Sequence, residues 1–371
     1  MTSPVFEGLS GLASPALIFD LDAIERNLDR MLEIVGDEPS RLRPHMKTHK
    51  CGEILELQLE RGIRQIKCAT LSEAELAARS GIPDILIAYP LVNANAHVAL
   101  DLVDAFPDRQ FSFTVDSPAS LSALERPEGP VLSVMIDFDC GMHRTGIPRG
   151  KAALELAIRI LESPRLRFSG VHAYDGQIHV SDLETRKLEF ETVLNRIDSF
   201  IAELRDIGIE VPSIVSGGSP TFAFHAAHAI RHAHWQCSPG TPVLWDMGYG
   251  SHFKDLPFEP AAFLLARIVS RPENFLTLDL GHKAVSAENP IDKRVRFPGH
   301  PGVDWVSQSE EHLVISCPGD GAEIGSEWLG VPWHVCPTVA LHEKAYVVRQ
   351  GKLTGESWNI SARDRGISLK N

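Results

Sequence analysis

A surplus of positive charge is missing from this sequence: 36 Lys and Arg stand against 49 Asp and Glu, a formal net charge of −13. A surface that tracks a nucleic-acid backbone needs clustered excess cation, so no nucleic-acid partner is expected. Long apolar runs are missing too. The run Ala261 to Ala266 stops at Arg267, and the stretch from Asp84 to Leu102 carries Pro90, Asn93 and Asp101. Neither approaches the roughly 20 residues of a transmembrane helix, so no membrane association is expected. Met1 to Leu12 holds Glu7 and no basic stretch ahead of an apolar core, which does not read as a signal peptide; a cytoplasmic location is expected. Cysteine is sparse as well. Six cysteines spread over 371 residues, a chain long enough to bury a core unaided, read as free thiols rather than a disulfide framework. Histidine is plentiful: sixteen invite a search for metal or acid–base chemistry.

The first two thirds alternate short apolar runs with stretches of helical period. Ala16 to Phe19 precedes a helix from Asp22 to Ile34, and runs recur at Ile66–Ala69, Ile85–Ala88, Phe111–Val115, Val131–Ile136, Leu166–Val171 and Pro212–Val215. Serial βα units predict a parallel sheet, and this many favour closure into a (β/α)8 TIM barrel. After about Gly250 the runs shorten and Pro and Gly turns separate them, the pattern of an antiparallel β domain. The expected division is a barrel over 14–250 and a β domain over 251–371.

The densest polar constellation runs from Arg43 to Lys50, where a second barrel strand is expected. Alternation along a strand points His45, Lys47 and His49 to one side, and a lysine flanked by cations is suited to condense with an aldehyde; a solvated basic edge explains the pattern equally simply. The loop Ser216-Gly217-Gly218-Ser219 ends one strand and opens a helix, either a cradle for phosphate or a tight turn. Arg144 can meet an anion at the barrel mouth or pair with Asp137 or Asp139. Tyr174 ends the next strand, with His179 beyond it as a candidate acid–base group or a solvated loop side chain. His334 and Cys336, if extended, project from one face and make half a metal site, with Glu311 and His312 as candidate neighbours. His225, His228 and His232 share a helical face, which reads as an exposed histidine surface.

Together these segments resemble the fold-type III pyridoxal-phosphate enzymes of the D-threonine aldolase and D-serine dehydratase-like family. The likeness runs from Ser14-Pro15 through Arg43-Pro44-His45-Met46-Lys47, Asp139 to Gly146, Gly170 to Gly176 and Ser216 to Thr221, and on to Glu311-His312 and His334-Val335-Cys336. It implies an alanine racemase-like barrel with a C-terminal β domain that also takes in about residues 1–13. It also implies that Lys47 carries pyridoxal 5′-phosphate, with Arg144, Tyr174, Ser216, Gly217, Gly218 and Ser219 around the cofactor and His45, His179 or His312 as acid–base groups. His334 and Cys336 match the family's metal pair, a divalent site for Zn²⁺ or for Mn²⁺ or Mg²⁺. A homodimer acting on a small D-amino acid is the implied assembly.

The resemblance leaves the bond to be broken open. A thiolate ligand suits Zn²⁺ and leans toward dehydration of D-serine or D-threo-3-hydroxyaspartate. Asp246 to Gly250, Leu278 to Glu288 and Trp358 to Arg363 look more like the aldolases, which places D-threonine aldolase first. A pyridoxal-phosphate carrier would use the barrel without turnover, but such carriers lack the segment that holds His334 and Cys336. A racemase would need a tyrosine from a partner's β domain, and the surroundings of Tyr346 do not match one.

Overall fold

The computed structural model describes residues 4–316 and 322–368. Its chain divides into two compact units, one of Met1–Arg30, Thr48–Glu53 and Thr241–Arg363, the other of Met31–Lys47, Ile54–Gly240 and Asp364–Asn371. Cys317 lies outside the described residues.

Sixteen strands are formed among the described residues. The first, β1 (Ala16–Asp20), is followed by β2 (Gln65–Cys68), β3 (Asp84–Ile87), β4 (Gln110–Val115), β5 (Leu132–Asp137), β6 (Leu166–Ala173), β7 (Ile214–Ser216) and β8 (Trp235–Cys237). Strands β2 to β8 make a seven-stranded parallel sheet in sequence order, as serial βα units demand. The segment 42–45 closes it. Leu42 bridges Cys237 and His45 bridges Lys67, both in parallel, and Lys67 N–H donates to Pro44 O at 2.9 Å. This eighth stave completes the barrel. Arg43 locks it at its base with a two-pronged ion pair to Asp84, 2.7 and 2.8 Å, and a bond to Gln236.

Side-chain alternation layers the barrel interior. On β5, Ser133 takes a hydrogen bond from Arg167, Met135 joins Leu86 and Val215 in a buried apolar cluster, and Asp137 bonds His172. A polar cavity of about 460 Å³, lined among others by Gln65, Gln110 and Ser213, lies at the Arg167 end.

The second unit holds the remaining strands: β9 (Ala262–Ser270), β10 (Phe275–Leu278), β11 (Val295–Arg296), β12 (Asp304–Gln308), β13 (Leu313–Ser316), β14 (Glu327–Pro332), β15 (Lys344–Arg349) and β16 (Lys352–Asn359). With β1 they form a nine-stranded, mostly antiparallel sheet. Here two expectations change. The run Ala16 to Phe19 does not open the barrel: β1 pairs antiparallel with β9 and parallel with β15, its apolar residues buried in this sheet, so the stave at 42–45 is the barrel's first. The His-rich face is exposed only at His232, beyond the end of its helix. His225 is fully buried and His228 nearly so on the helix Phe222–Ala229, because His225 meets a buried carboxylate and stacks with Trp235.

Candidate functional site

Lys47 sits in the 3₁₀ turn Met46–Thr48, at the C-terminal end of the closing stave, where barrel chemistry is placed. The turn ends the extended run, so His45, Lys47 and His49 do not alternate along a strand as the spacing predicts. His45 is half-buried and its Nδ1 accepts Lys47 N–H at 3.4 Å; His49 is buried, with its ring turned to the backbone of Cys51.

Three cations gather on Tyr174. The amine of Lys47 lies 5.9 Å from the ring centroid, that of Lys67 5.6 Å, and the Arg144 guanidinium 5.1 Å. The ring is seated between two glycines: a Cβ at Gly176 would fall 2.2 Å from it and one at Gly218 3.1 Å. Beneath the ring, Lys67 Nζ is 3.4 Å from His172 Nε2, and His172 Nδ1 is 2.7 Å from Asp137 Oδ1. Burial pushes Lys67 down to about 7, with the charge of Lys47 acting in the same direction. Burial and Lys67 also hold His172 below the usual imidazole range, although Asp137 opposes them. A neutral His172 therefore donates from Nδ1 to Asp137 and accepts from Lys67 at Nε2.

The loop Ser216 to Ser219 is buried and leads into the helix Phe222–Ala229. Gly217 has φ +87°, a conformation glycine adopts without strain, and a Cβ there would fall 2.4 Å from the His225 ring. Behind the loop, Asp175 accepts from Thr221 Oγ1 at 2.6 Å and pairs with His225 Nε2 at 2.9 Å. Burial works to raise the Asp175 carboxyl, but His225 and Thr221 together hold it below the ordinary carboxylate range. A clustered positive charge, a fixed aromatic face and a glycine-lined loop fit a planar anionic cofactor with a phosphate. His179 is exposed in the loop after Gly176.

The other polar cluster belongs to the β unit. His334 caps the short helix Val335–Val339, so the pair is not extended; the helical turn nonetheless brings Cys336 into hydrogen-bond contact with His334. Cys336 Sγ lies 3.2 Å from Thr48 Oγ1, and His334 Nδ1 lies 2.5 Å from Glu288 Oε1. Ser286 in turn bonds Glu288. Burial opposes charge on His334, but Cys336, Glu288 and Asp246 override it and raise the ring to about 9. Asp246 is itself buried, which lifts it to about 6, and it accepts the backbone N–H of Val335. A thiol beside an imidazole whose other nitrogen is fixed by a carboxylate fits two ligands of a divalent cation. No group of three or more His, Cys, Asp or Glu forms a ready cation cage among the described residues. His312 is exposed ahead of β13, and Glu311 pairs with Lys283. The carboxylate that meets His334 is Glu288, the last residue of the aldolase-like segment Leu278 to Glu288, for which the sequence suggests no such role. Lys67 and the Asp137–His172 and Asp175–His225 pairs were missed too, for the first was read as strand filler and the partners are 35 and 50 residues apart.

Comparison with known proteins gives this geometry its setting. Residues 19–241 match the family model "Alanine racemase, N-terminal domain", and 261–348 match a serine dehydratase domain. The chain is thus a fold-type III pyridoxal-phosphate protein with a C-terminal β domain. Within that class it belongs to the D-threonine aldolase and D-serine dehydratase-like family. It is 33% identical to the D-threonine aldolase of an Arthrobacter species over 96% of this chain and 94% of that protein. It is 32% identical to the D-threo-3-hydroxyaspartate dehydratase of a Delftia species over 89% and 92%. The solved D-threonine aldolase of Filomicrobium marinum superposes with a TM-score of 0.87 at 30% identity, covering 98% of each chain. No helix among the described residues is long and apolar enough to cross a membrane.

Proposed function

We propose that this chain is a D-threonine aldolase that depends on pyridoxal 5′-phosphate and a divalent metal and cleaves D-β-hydroxy-α-amino acids to glycine and an aldehyde. The observation that carries the reading is the grouping of Lys47, Lys67 and Arg144 on the Tyr174 face, in a fold that matches a D-threonine aldolase along nearly its whole length.

Pyridoxal phosphate, when bound, takes up the electron pair released as a bond at Cα breaks. Lys47 supplies the amine that holds it. Tyr174, seated by Gly176 and Gly218, gives the ring a flat support, while the loop Ser216 to Ser219 and the helix behind it receive the phosphate. Arg144 neutralises an anionic oxygen at the mouth. His334 and Cys336 would hold the metal, with Thr48 bonded to the thiol and Glu288 orienting the imidazole; the cation lowers the cost of ionising a β-hydroxyl. His45, His179 and His312 remain as candidate proton acceptors for that hydroxyl. Homodimer formation and a cytoplasmic site belong to the same reading.

One observation favours the second reading, a D-serine or D-threo-3-hydroxyaspartate dehydratase: the thiol of Cys336. A solved cysteine-to-alanine variant of a D-threo-3-hydroxyaspartate dehydratase, 25% identical to this chain, is in the metal-free form. D-Threonine given to the metal-replete protein separates the two. Glycine with acetaldehyde is expected; 2-oxobutanoate with ammonia would establish the dehydratase, and neither product would return the chain to a carrier role.

A further inference from the structure

We propose that Lys67 is a binding residue of this site, giving a positive charge to an anionic oxygen held over Tyr174, either on the pyridine cofactor or on the substrate carboxylate. The inference rests on the reading of Lys47 as the cofactor lysine and extends it to a second amine.

The geometry carries the argument. Lys67 and Lys47 lie at nearly the same distance from one aromatic ring, 5.6 and 5.9 Å. Lys67 is 3% exposed, held on β2 with its stem enclosed by the barrel. Most buried lysines end on a carboxylate. Here the amine meets an imidazole nitrogen, His172 Nε2, whose ring is anchored by Asp137. His172 takes one proton of the amine, which leaves the rest of its donor capacity for a ligand on the Tyr174 side.

The groups that face Lys67 come from every neighbouring element. Lys47 lies in the turn after the closing stave, Asp137 at the end of β5, Arg144 in the loop beyond it, His172 on β6, and Tyr174 and Asp175 just after β6. Burial, Lys47 and Arg144 disfavour the ammonium, while Asp137 and Asp175 favour it. The balance falls at about 7. The amine is therefore charged below neutrality and loses its proton as pH rises through that value, so it attracts an anion in acid and loses hold of it in base. An anion bound beside it favours the charged form and moves the midpoint up.

The test uses the full chain, first with pyridoxine 5′-phosphate, which lacks the aldehyde and reads the non-covalent site alone. Its Kd is measured from pH 6 to 8.5 in wild type, Lys67→Met and Lys67→Arg. The arginine variant keeps its charge throughout, so the ratio of wild type to Lys67→Arg cancels the ligand's own titration. Wild-type affinity should fall relative to Lys67→Arg by about 10-fold across the range, and Lys67→Met should bind about 10-fold more weakly at pH 6. A second arm measures KM for D-threonine in the cofactor-loaded proteins. A dependence confined to KM places the anion on the substrate; one in Kd places it on the cofactor. Equal Kd and KM profiles in wild type and Lys67→Met would overturn the proposal. Borohydride reduction after adding pyridoxal phosphate, with peptide mapping, reports separately on the underlying reading: a label on Lys47 upholds it even if Lys67 proves inert, and a label elsewhere overturns both.

Discussion

Thr48 Oγ1 stands 3.2 Å from Cys336 Sγ, a contact across 288 positions of the chain, and Thr48 is the residue that follows Lys47. A hydroxyl in this place stabilises a thiolate. Thr48→Val keeps the shape and removes the donor, and it should weaken Zn²⁺ binding by about 10-fold. Competition against a chelator of known affinity gives the value; unchanged affinity would separate Thr48 from the metal.

Glu288 acts on the other ligand. Glu288→Gln leaves His334 without a charged partner, and its metal affinity should fall about 10- to 100-fold while the fold stays intact. Chelator titration followed by circular dichroism distinguishes lost metal from lost structure. His334→Ala and Cys336→Ala should each abolish metal-dependent turnover, and chelation that spares turnover in the parent would remove both from the site.

Lys47→Ala should lose the absorbance of the bound cofactor and at least about 10²-fold of turnover. Because Lys67 is a second amine on the same ring, peptide mapping after reduction must accompany the spectrum. A reducible adduct that maps to a residue other than Lys67 in this variant would count against Lys47 as the carrier.

Gly176 and Gly218 fix the aromatic support from both sides. Gly176→Ala places a Cβ 2.2 Å from the Tyr174 ring and must displace it. The expected result is cofactor binding weakened by about 10-fold or more with little change in thermal midpoint, since the ring is at the edge of the buried core. A variant with wild-type cofactor affinity would show that the ring position is unimportant.

Acid should destabilise this chain through its buried histidines, against a smaller opposing gain from Asp246, which burial lifts to about 6. Burial holds His49 down to about 3 and His228 to about 4, against 6.5 when unfolded. The unfolded chain takes up those protons first, so the stability is present above pH 6.5 and is lost as pH falls toward 4 and then 3. The buried carboxylates Asp137 and Asp175, held low, add their loss only below about 3.8. The thermal midpoint should therefore drop between pH 6.5 and 4, and His49→Leu should flatten that slope. A midpoint flat over this interval would show that the rings are hydrated in the native state.

Much of the barrel was legible because each stave is a short apolar run between turns, and runs such as Ile85–Ala88 and Phe111–Val115 fall within a residue of β3 and β4. β8 was not legible: Trp235-Gln236-Cys237 is three residues with a polar centre, and only its neighbours make it a strand. β1 looked like a barrel stave because strand pairing is decided by β9 and β15, more than 240 residues away. The same physics hid Lys67. Nothing local distinguishes it from a solvated lysine at a strand end, and its character comes from burial and from His172, 105 positions on.

Met135 stands between Ser133 and Asp137 on one strand face, within the apolar cluster of Leu86 and Val215. Met135 therefore sets an apolar layer between the Ser133–Arg167 and Asp137–His172 hydrogen bonds, and Lys67 stands on the Asp137 side of it. Isotope exchange at the amine should be gated by whatever fills the Tyr174 side. The cavity lined by Arg167 lies beyond that layer, so a substitution such as Arg167→Gln there should leave exchange at the Lys67 amine unchanged.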